Sequence, residues 1–259
     1  MAQNFGWANQ MFSTNQGESA PAHQFLFGGT SALTAAADAQ ATFVSENSFG
    51  CVAPLNYPYY LLEPSTAPLE IKLFNNPPGA VCATHDTMAT LLDNSQHTWK
   101  YYAVGDPASG VSNSLWNAPL WIQNICQPNS TFTKCMWAEF IENVDLHPAD
   151  VLTDVQKCKL ASMMWVTPTG LDSDHPSGNS KNLANGGPAW VASVINQVSN
   201  SPCTDTINGV AVPRRTPISR CARPDRQQFS LRKDAPWGVA SYFISLFGPT
   251  HFEGGPRAE

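Results

Sequence analysis

The sequence predicts an α/β fold, and three observations carry that prediction. Segments with helical spacing of apolar residues alternate with short apolar runs along much of the chain. One of those runs, Leu160 to Val166, is bounded by Pro168 and Gly170 and has the length of a buried strand rather than a helix. The 259 residues are 42% hydrophobic and only 13% charged, with 8 Trp and 13 Phe, so the chain has ample material for a core.

Taken in order, the first segment, Ala2 to Phe12, has helix-like apolar spacing but no cap before it, and reads as the middle of an element. Ser13 to Gly17 is a polar turn. Ser19-Ala20-Pro21-Ala22 starts a helix, with Ser as the cap and Pro in the first turn; His23 to Phe27 continue it, and Gly28-Gly29 end it. Residues 40–80 are rich in Pro and Asn, and within them Leu69 to Leu73 alternates as a strand does. Thr87 to Asp93 is a short amphipathic helix, and Thr98 to Ala103 is a strand that runs into the Gly105-Asp106-Pro107 turn. Trp116 to Cys126 is expected to be helical, as are Val151 to Lys159 and Pro188 to Val198, the last with Pro at its start. Trp99, Trp116, Trp165 and Trp190 are expected in the core.

Charge is unevenly spread. Residues 1–200 hold six Lys, no Arg and fifteen acidic groups, a net −9; residues 201–259 hold seven Arg, one Lys and five acidic groups, a net +3. Such a change marks a boundary. The arginines from Arg214 to Arg226 are interleaved with Pro213, Pro217 and Pro224, which fits a solvated tail better than a nucleic-acid interface, and the overall charge of −6 gives no footprint for nucleic acid. No stretch approaches the roughly 20 apolar residues of a membrane helix, and the N-terminus lacks the pattern of a signal peptide.

Seven cysteines occur with no Cys-x-x-Cys pair, which disfavours a zinc ribbon. Their wide spacing in a Lys-poor chain fits disulfides in an exported protein. Cys126 and Cys135 are the pair expected to form a local bridge; the other pairings stay open.

A series of segments in one order carries a resemblance. They are Thr14 to Phe25 with Gly17-Glu18-Ser19-Ala20-Pro21-Ala22-His23 at its centre, Leu91-Leu92-Asp93 with Thr98 to Tyr102, and Asp150 to Asp154 with Cys158 to Ala161. Trp165-Val166-Thr167-Pro168-Thr169-Gly170 with Ser173-Asp174-His175-Pro176 follows, and then Gly187 to Asn196. Over about residues 2–202 the chain resembles the bacterial phosphoesterases of the phospholipase C and acid phosphatase family, within the alkaline-phosphatase-like superfamily.

The resemblance implies an alkaline-phosphatase-like sandwich with a mainly parallel central sheet, and hydrolysis of phosphate esters, phospholipids among them. It implies that Ser19 is the nucleophile and a ligand of a divalent metal ion, and that His175 assists the leaving group. His23 and His85 are the candidate substrate-binding histidines; the plainer readings are a packed structural residue for His23 and a surface or capping residue for His85. His97, His147 and His251 read as structural or solvated.

The chain departs from the family pattern in three places. The Glu-Asn ligand motif that relatives carry upstream would precede Met1. The acidic pair that follows the last helix is replaced by Ser201-Pro202-Cys203-Thr204-Asp205, and Glu18 and Ala20 stand where relatives carry Pro and an aromatic residue. The expectation is therefore a catalytic domain over 1–202 that lacks its start, and a divergent Arg/Pro-rich tail over 203–259. The alternative is a catalytically inactive member that at most binds anions or a partner. Secretion or a periplasmic location is implied for the family.

Overall fold

Two strands fix the frame. β3 (Trp99–Tyr102) and β5 (Met163–Val166) run parallel and pair Trp99 with Met163 through Tyr102 with Val166. β4 (Val144–Asp145) flanks β3 and β8 (Ser241–Phe243) flanks β5, so the sheet order is β4-β3-β5-β8 with every pairing parallel. All four residues of β5 are buried, as expected of a parallel strand covered on both faces. The computed structural model describes residues 19–32, 50–53, 58–63, 70–75, 82–105, 116–173, 186–207, 210–213 and 241–243.

Side chains alternate across these strands and split the interior into two layers. On one face Trp99, Tyr101, Met163 and Trp165 pack with Phe27 of α1 (Ser19–Gly28) and with the tight helical turn Ala118–Trp121. The Phe27 ring meets Trp99, Tyr101 and Trp165 edge-on, with centroids 5.9, 5.6 and 4.9 Å apart. Contacts of this kind add about 0.5–1.5 kcal/mol each beyond the area they bury. On the opposite face Tyr102, Met164 and Val166 pack with Val151 and Val155 of α4 (Asp150–Gln156) and with Val194 and Val198 of α5 (Gly187–Ser199).

The expected helix over Trp116–Cys126 is replaced by that single turn. Pro119 has no N–H to extend a ladder. Beyond it the chain is drawn into an extended bridge with Ala83, whose N–H donates to the Trp121 carbonyl and whose carbonyl accepts from Gln123 N–H. Gly50 permits the close approach to this turn: it sits at φ +56°, and a Cβ there would lie 2.6 Å from the Leu120 carbonyl oxygen.

The remaining elements lie near their expected positions. α2 (Met88–Asn94) is capped by Thr87, which exchanges hydrogen bonds with Thr90. α3 (Ala138–Asn143) leads directly into β4. The strand expected at Leu69–Leu73 is β2 (Glu70–Asn75), and it pairs antiparallel with β1 (Pro58–Glu63), a partner the Pro- and Asn-rich composition hid. Past α5, β6 (Thr204–Ile207) and β7 (Val210–Pro213) form an antiparallel pair. Among the described residues, no helix is long and apolar enough to cross a membrane.

Three disulfides join Cys51 to Cys82, Cys126 to Cys135 and Cys158 to Cys203. The second is the local bridge expected from the sequence. The third ties the end of α4 to the segment after α5, so the buried Cys203, expected to open the tail, packs with the core.

Candidate active site

In parallel α/β sheets, functional groups collect where the strands end. Here α1 lies across the aromatic face with Ser19 as its first residue and Pro21 in its first turn, which suits the preset φ of proline. Ser19 is 7% exposed. The N–H groups of a helix's first turn have no partner within the helix, so they and the helix dipole favour an anion at that end.

His23 lies one turn further along α1 and is buried. Its Nδ1 is 3.4 Å from the Tyr101 hydroxyl on β3. That hydroxyl donates to the Trp116 carbonyl at 2.8 Å, so its only proton is spent there. Toward His23 and toward the Thr167 hydroxyl, 3.4 Å away, the tyrosine oxygen is therefore the acceptor. His23 consequently carries its proton on Nδ1. Burial lowers its pKa from 6.5 to about 4, so it is neutral at physiological pH. Burial likewise pushes Tyr101 up to about 12, so it remains a phenol.

Next to His23, Gln24 is almost fully buried and its Nε2 donates to the Ala118 carbonyl at 3.0 Å. Tyr101 and Gln24 thus grip the backbone on either side of Asn117, which is 0% exposed. Ser19 and His23 are brought into one layer by α1. Tyr101, Gln24, Asn117 and Thr167 join them. Gln24, Tyr101 and Thr167 lie within the segments that carry the resemblance but, like Asn117, were not singled out as site residues.

His85 is placed elsewhere. It is buried rather than on the surface, and its Nδ1 donates to the Asp86 carbonyl at 3.0 Å. Its ring packs on Gly28, where a Cβ would come within 2.9 Å of Cε1. Gly28 ends α1 and Ser19 begins it, so the two lie about 14 Å apart along the helix axis. The structure does not bring His85 to Ser19. His175 lies outside the described residues, two positions past Ser173 in sequence.

Among the described residues, one His/Asp/Glu group has the spacing to hold a metal ion: Asp145, His147 and Asp150. His147, expected to be structural or solvated, is exposed and belongs to this cluster. Asp145 pairs with Tyr102 in the strand register and lies 3.5 Å from the Lys100 ammonium, on the α4 side of the sheet. α1 and Ser19 lie on the other side. Among the described residues, the cluster with metal-holding spacing therefore does not include Ser19.

No curated protein and no solved structure matches the chain. The family model described as the phosphoesterase family matches residues 1–208, which covers β3, β4, β5 and α1 to α5 and ends just past β6. The chain belongs to the phosphoesterase family.

Proposed function

We propose that this chain is a phosphate-ester hydrolase that uses Ser19 as its nucleophile, in an alkaline-phosphatase-like domain over residues 1–202 with residues 203–259 as a divergent tail. The observation that carries the reading is the position of Ser19: the buried first residue of a helix that packs on the aromatic face of a parallel sheet through Phe27 and presents His23 to the Tyr101 hydroxyl. The helix N–H groups hold the phosphoryl oxygens and the Ser19 hydroxyl oxygen attacks phosphorus, its proton passing to solvent. The P–O bond to the leaving alcohol breaks, and His175 supplies the proton that alcohol takes up. Water then breaks the Ser19 Oγ–P bond, giving its oxygen to phosphorus and a proton to Ser19, and releases phosphate from a monoester or a phosphate monoester from a diester. His23, neutral and fixed in one tautomer, accepts or relays hydrogen bonds and does not act as an acid near pH 7.

The family is typically metal-dependent. A divalent ion, when bound, lowers the pKa of a coordinated hydroxyl and offsets charge on the phosphoryl oxygens. Among the described residues the cluster of metal donors does not include Ser19, and no step above is routed through a metal. The same observation supports a second reading, a member of the family that binds phosphate without turnover. Three disulfides are in keeping with an exported protein.

The test is release of p-nitrophenol from its phosphate monoester and from its phosphorylcholine diester, with and without added divalent metals. Turnover that disappears in Ser19→Ala establishes the hydrolase, and the preferred ester separates phosphatase from phospholipase C activity. Phosphate binding by a well-folded sample without turnover establishes the second reading.

A further inference from the structure

Asn117 is a residue whose burial the fold does not explain. Its side chain is fully enclosed, and neither Nδ2 nor Oδ1 has a hydrogen-bond partner among the described residues. It precedes the helical turn Ala118–Trp121, yet its side chain makes no capping hydrogen bond, so it does not do the ordinary work of an asparagine in that place. Nor does the backbone depend on it. Tyr101 holds the Trp116 carbonyl, Gln24 holds the Ala118 carbonyl, and the Asn117 carbonyl accepts from Leu120 N–H at 3.1 Å.

Gln24 repeats the pattern. Its Nε2 is used on Ala118, while its Oε1 is buried with no partner among the described residues. Gln24 bonds to the carbonyl of the residue that follows Asn117, so the helix that begins at Ser19 is tied to the turn that Asn117 opens. Natural folds pair nearly all buried polar side chains. An apolar residue at position 117 would give a more stable protein, and stability is given up in this way mainly at sites that serve function.

We propose that Asn117, with Gln24 beside it, is a ligand-binding residue for the phosphoryl group. Its Nδ2 donates to an anionic phosphoryl oxygen, and its Oδ1 and the Gln24 Oε1 accept from a protonated phosphate oxygen or from the hydroxyl of the leaving alcohol. A site that offers donors and acceptors without a fixed charge suits a ligand that carries both P–O⁻ and O–H groups. Binding requires the side chains that cover Asn117 to move aside. The proposal rests on the phosphate-ester reading of the Ser19 site and names a further residue of that site.

The experiment uses the full chain, with inorganic phosphate as the probe and thermal melting as the readout, on the original protein, Asn117→Leu and Asn117→Asp. The expected result is a phosphate-dependent rise in Tm for the original protein and at least a tenfold loss of phosphate affinity in both variants. Leu removes the donor, and the Asp carboxylate repels the anion. In the absence of phosphate, Asn117→Leu should melt about 3 °C higher or more, since an unpaired amide has been removed. Asn117→Asp keeps the size of the side chain and decides the matter if the Leu variant does not fold. Phosphate affinity that is unchanged in the folded variants overturns the proposal, whatever their melting temperatures, and so does an original protein that binds no phosphate. Ester turnover measured alongside separates the two ideas. Ser19-dependent turnover with an unchanged KM in the Asn117 variants sinks this proposal alone; lost phosphate binding without Ser19-dependent turnover sinks the nucleophile and leaves Asn117 standing.

Discussion

The two faces of the central sheet are built on different terms. The face under α4 and α5 is aliphatic, with Val151, Val155, Val194 and Val198 packed on Met164 and Val166; its charged groups are paired, while the Trp190 Nε1 beside it has no partner. Lys100 reaches Asp154 at 2.8 Å and Asp145 at 3.5 Å, and the Tyr102 hydroxyl donates to Asp154 at 2.8 Å. The face under α1 is aromatic and encloses polar side chains in quantity: Ser19, His23, Gln24 and Asn117, some of them with unused hydrogen-bonding atoms. One face invests in stability and the other withholds it, which is the division expected where chemistry is confined to one side of a rigid sheet.

The sharpest way to test that contrast is to delete one group from the polar face and watch activity rather than stability. Ser19→Ala should lower ester turnover by at least about a thousandfold while its Tm stays near that of the original protein. Equal turnover in the mutant would remove Ser19 from the mechanism.

The aliphatic face should respond in the opposite sense. Replacing Cys158 and Cys203 by Ser opens a bridge across a separation of 45 residues, whereas the Cys126–Cys135 bridge spans 9. Chain entropy puts the losses at about 4 and about 2.7 kcal/mol. Denaturant titration should rank the two variants in that order, with ester turnover of the folded protein retained in both. A reversed order would show that strain or residual structure outweighs the loop term.

A smaller effect separates the faces by pH. His23 is neutral in the folded protein, with its pKa lowered from 6.5 to about 4, so below 6.5 the unfolded chain binds a proton that the folded chain refuses. Its contribution is complete above pH 6.5 and is lost as pH falls toward 4, up to about 3 kcal/mol. Subtracting the stability curve of His23→Gln from that of the original protein should isolate this slope; a flat difference would mean that His23 is not held neutral.

On the other face Asp154 titrates lower. Burial raises its pKa, but hydrogen bonds from Lys100 and Tyr102 and the charge of Lys100 outweigh burial and hold the carboxyl below its ordinary 3.8. Its contribution is therefore present above 3.8 and fades only as pH falls below that. Because the groups are partly exposed, Asp154→Asn should cost no more than about 1–2 kcal/mol at pH 7. A larger loss would mean that the cluster is more enclosed than its geometry indicates.

How far these features were legible in the sequence differs element by element. The strand over Thr98–Ala103, the run ending at Val166, the helices at Ser19 and Pro188 and the Cys126–Cys135 bridge could all be read, because each is specified by neighbours a few residues apart: alternation, a cap, a proline in a first turn, a short loop. Trp116–Cys126 was misread as a helix because its apolar spacing is helical while its hydrogen bonds go to Ala83, more than thirty residues away. β1 was missed because its partner, not its composition, makes it a strand. Of the candidate site residues, Ser19 and His23 come from family motifs and share α1, whereas only the fold puts His85 against Gly28 at the far end of that helix.

The sequence by itself determined the α/β class, the family, the candidate nucleophile and the change of character past residue 200, since these rest on composition, local spacing and the order of motifs. Only the tertiary structure decided which side chains share a layer. It sent Tyr101 to the α1 side and Lys100 to the α4 side, set the Asp145–His147–Asp150 cluster across the sheet from Ser19, and buried Asn117 without a partner. The physical reason is that a parallel sheet joins strands sixty residues apart, and alternation then assigns each neighbouring side chain to an opposite face.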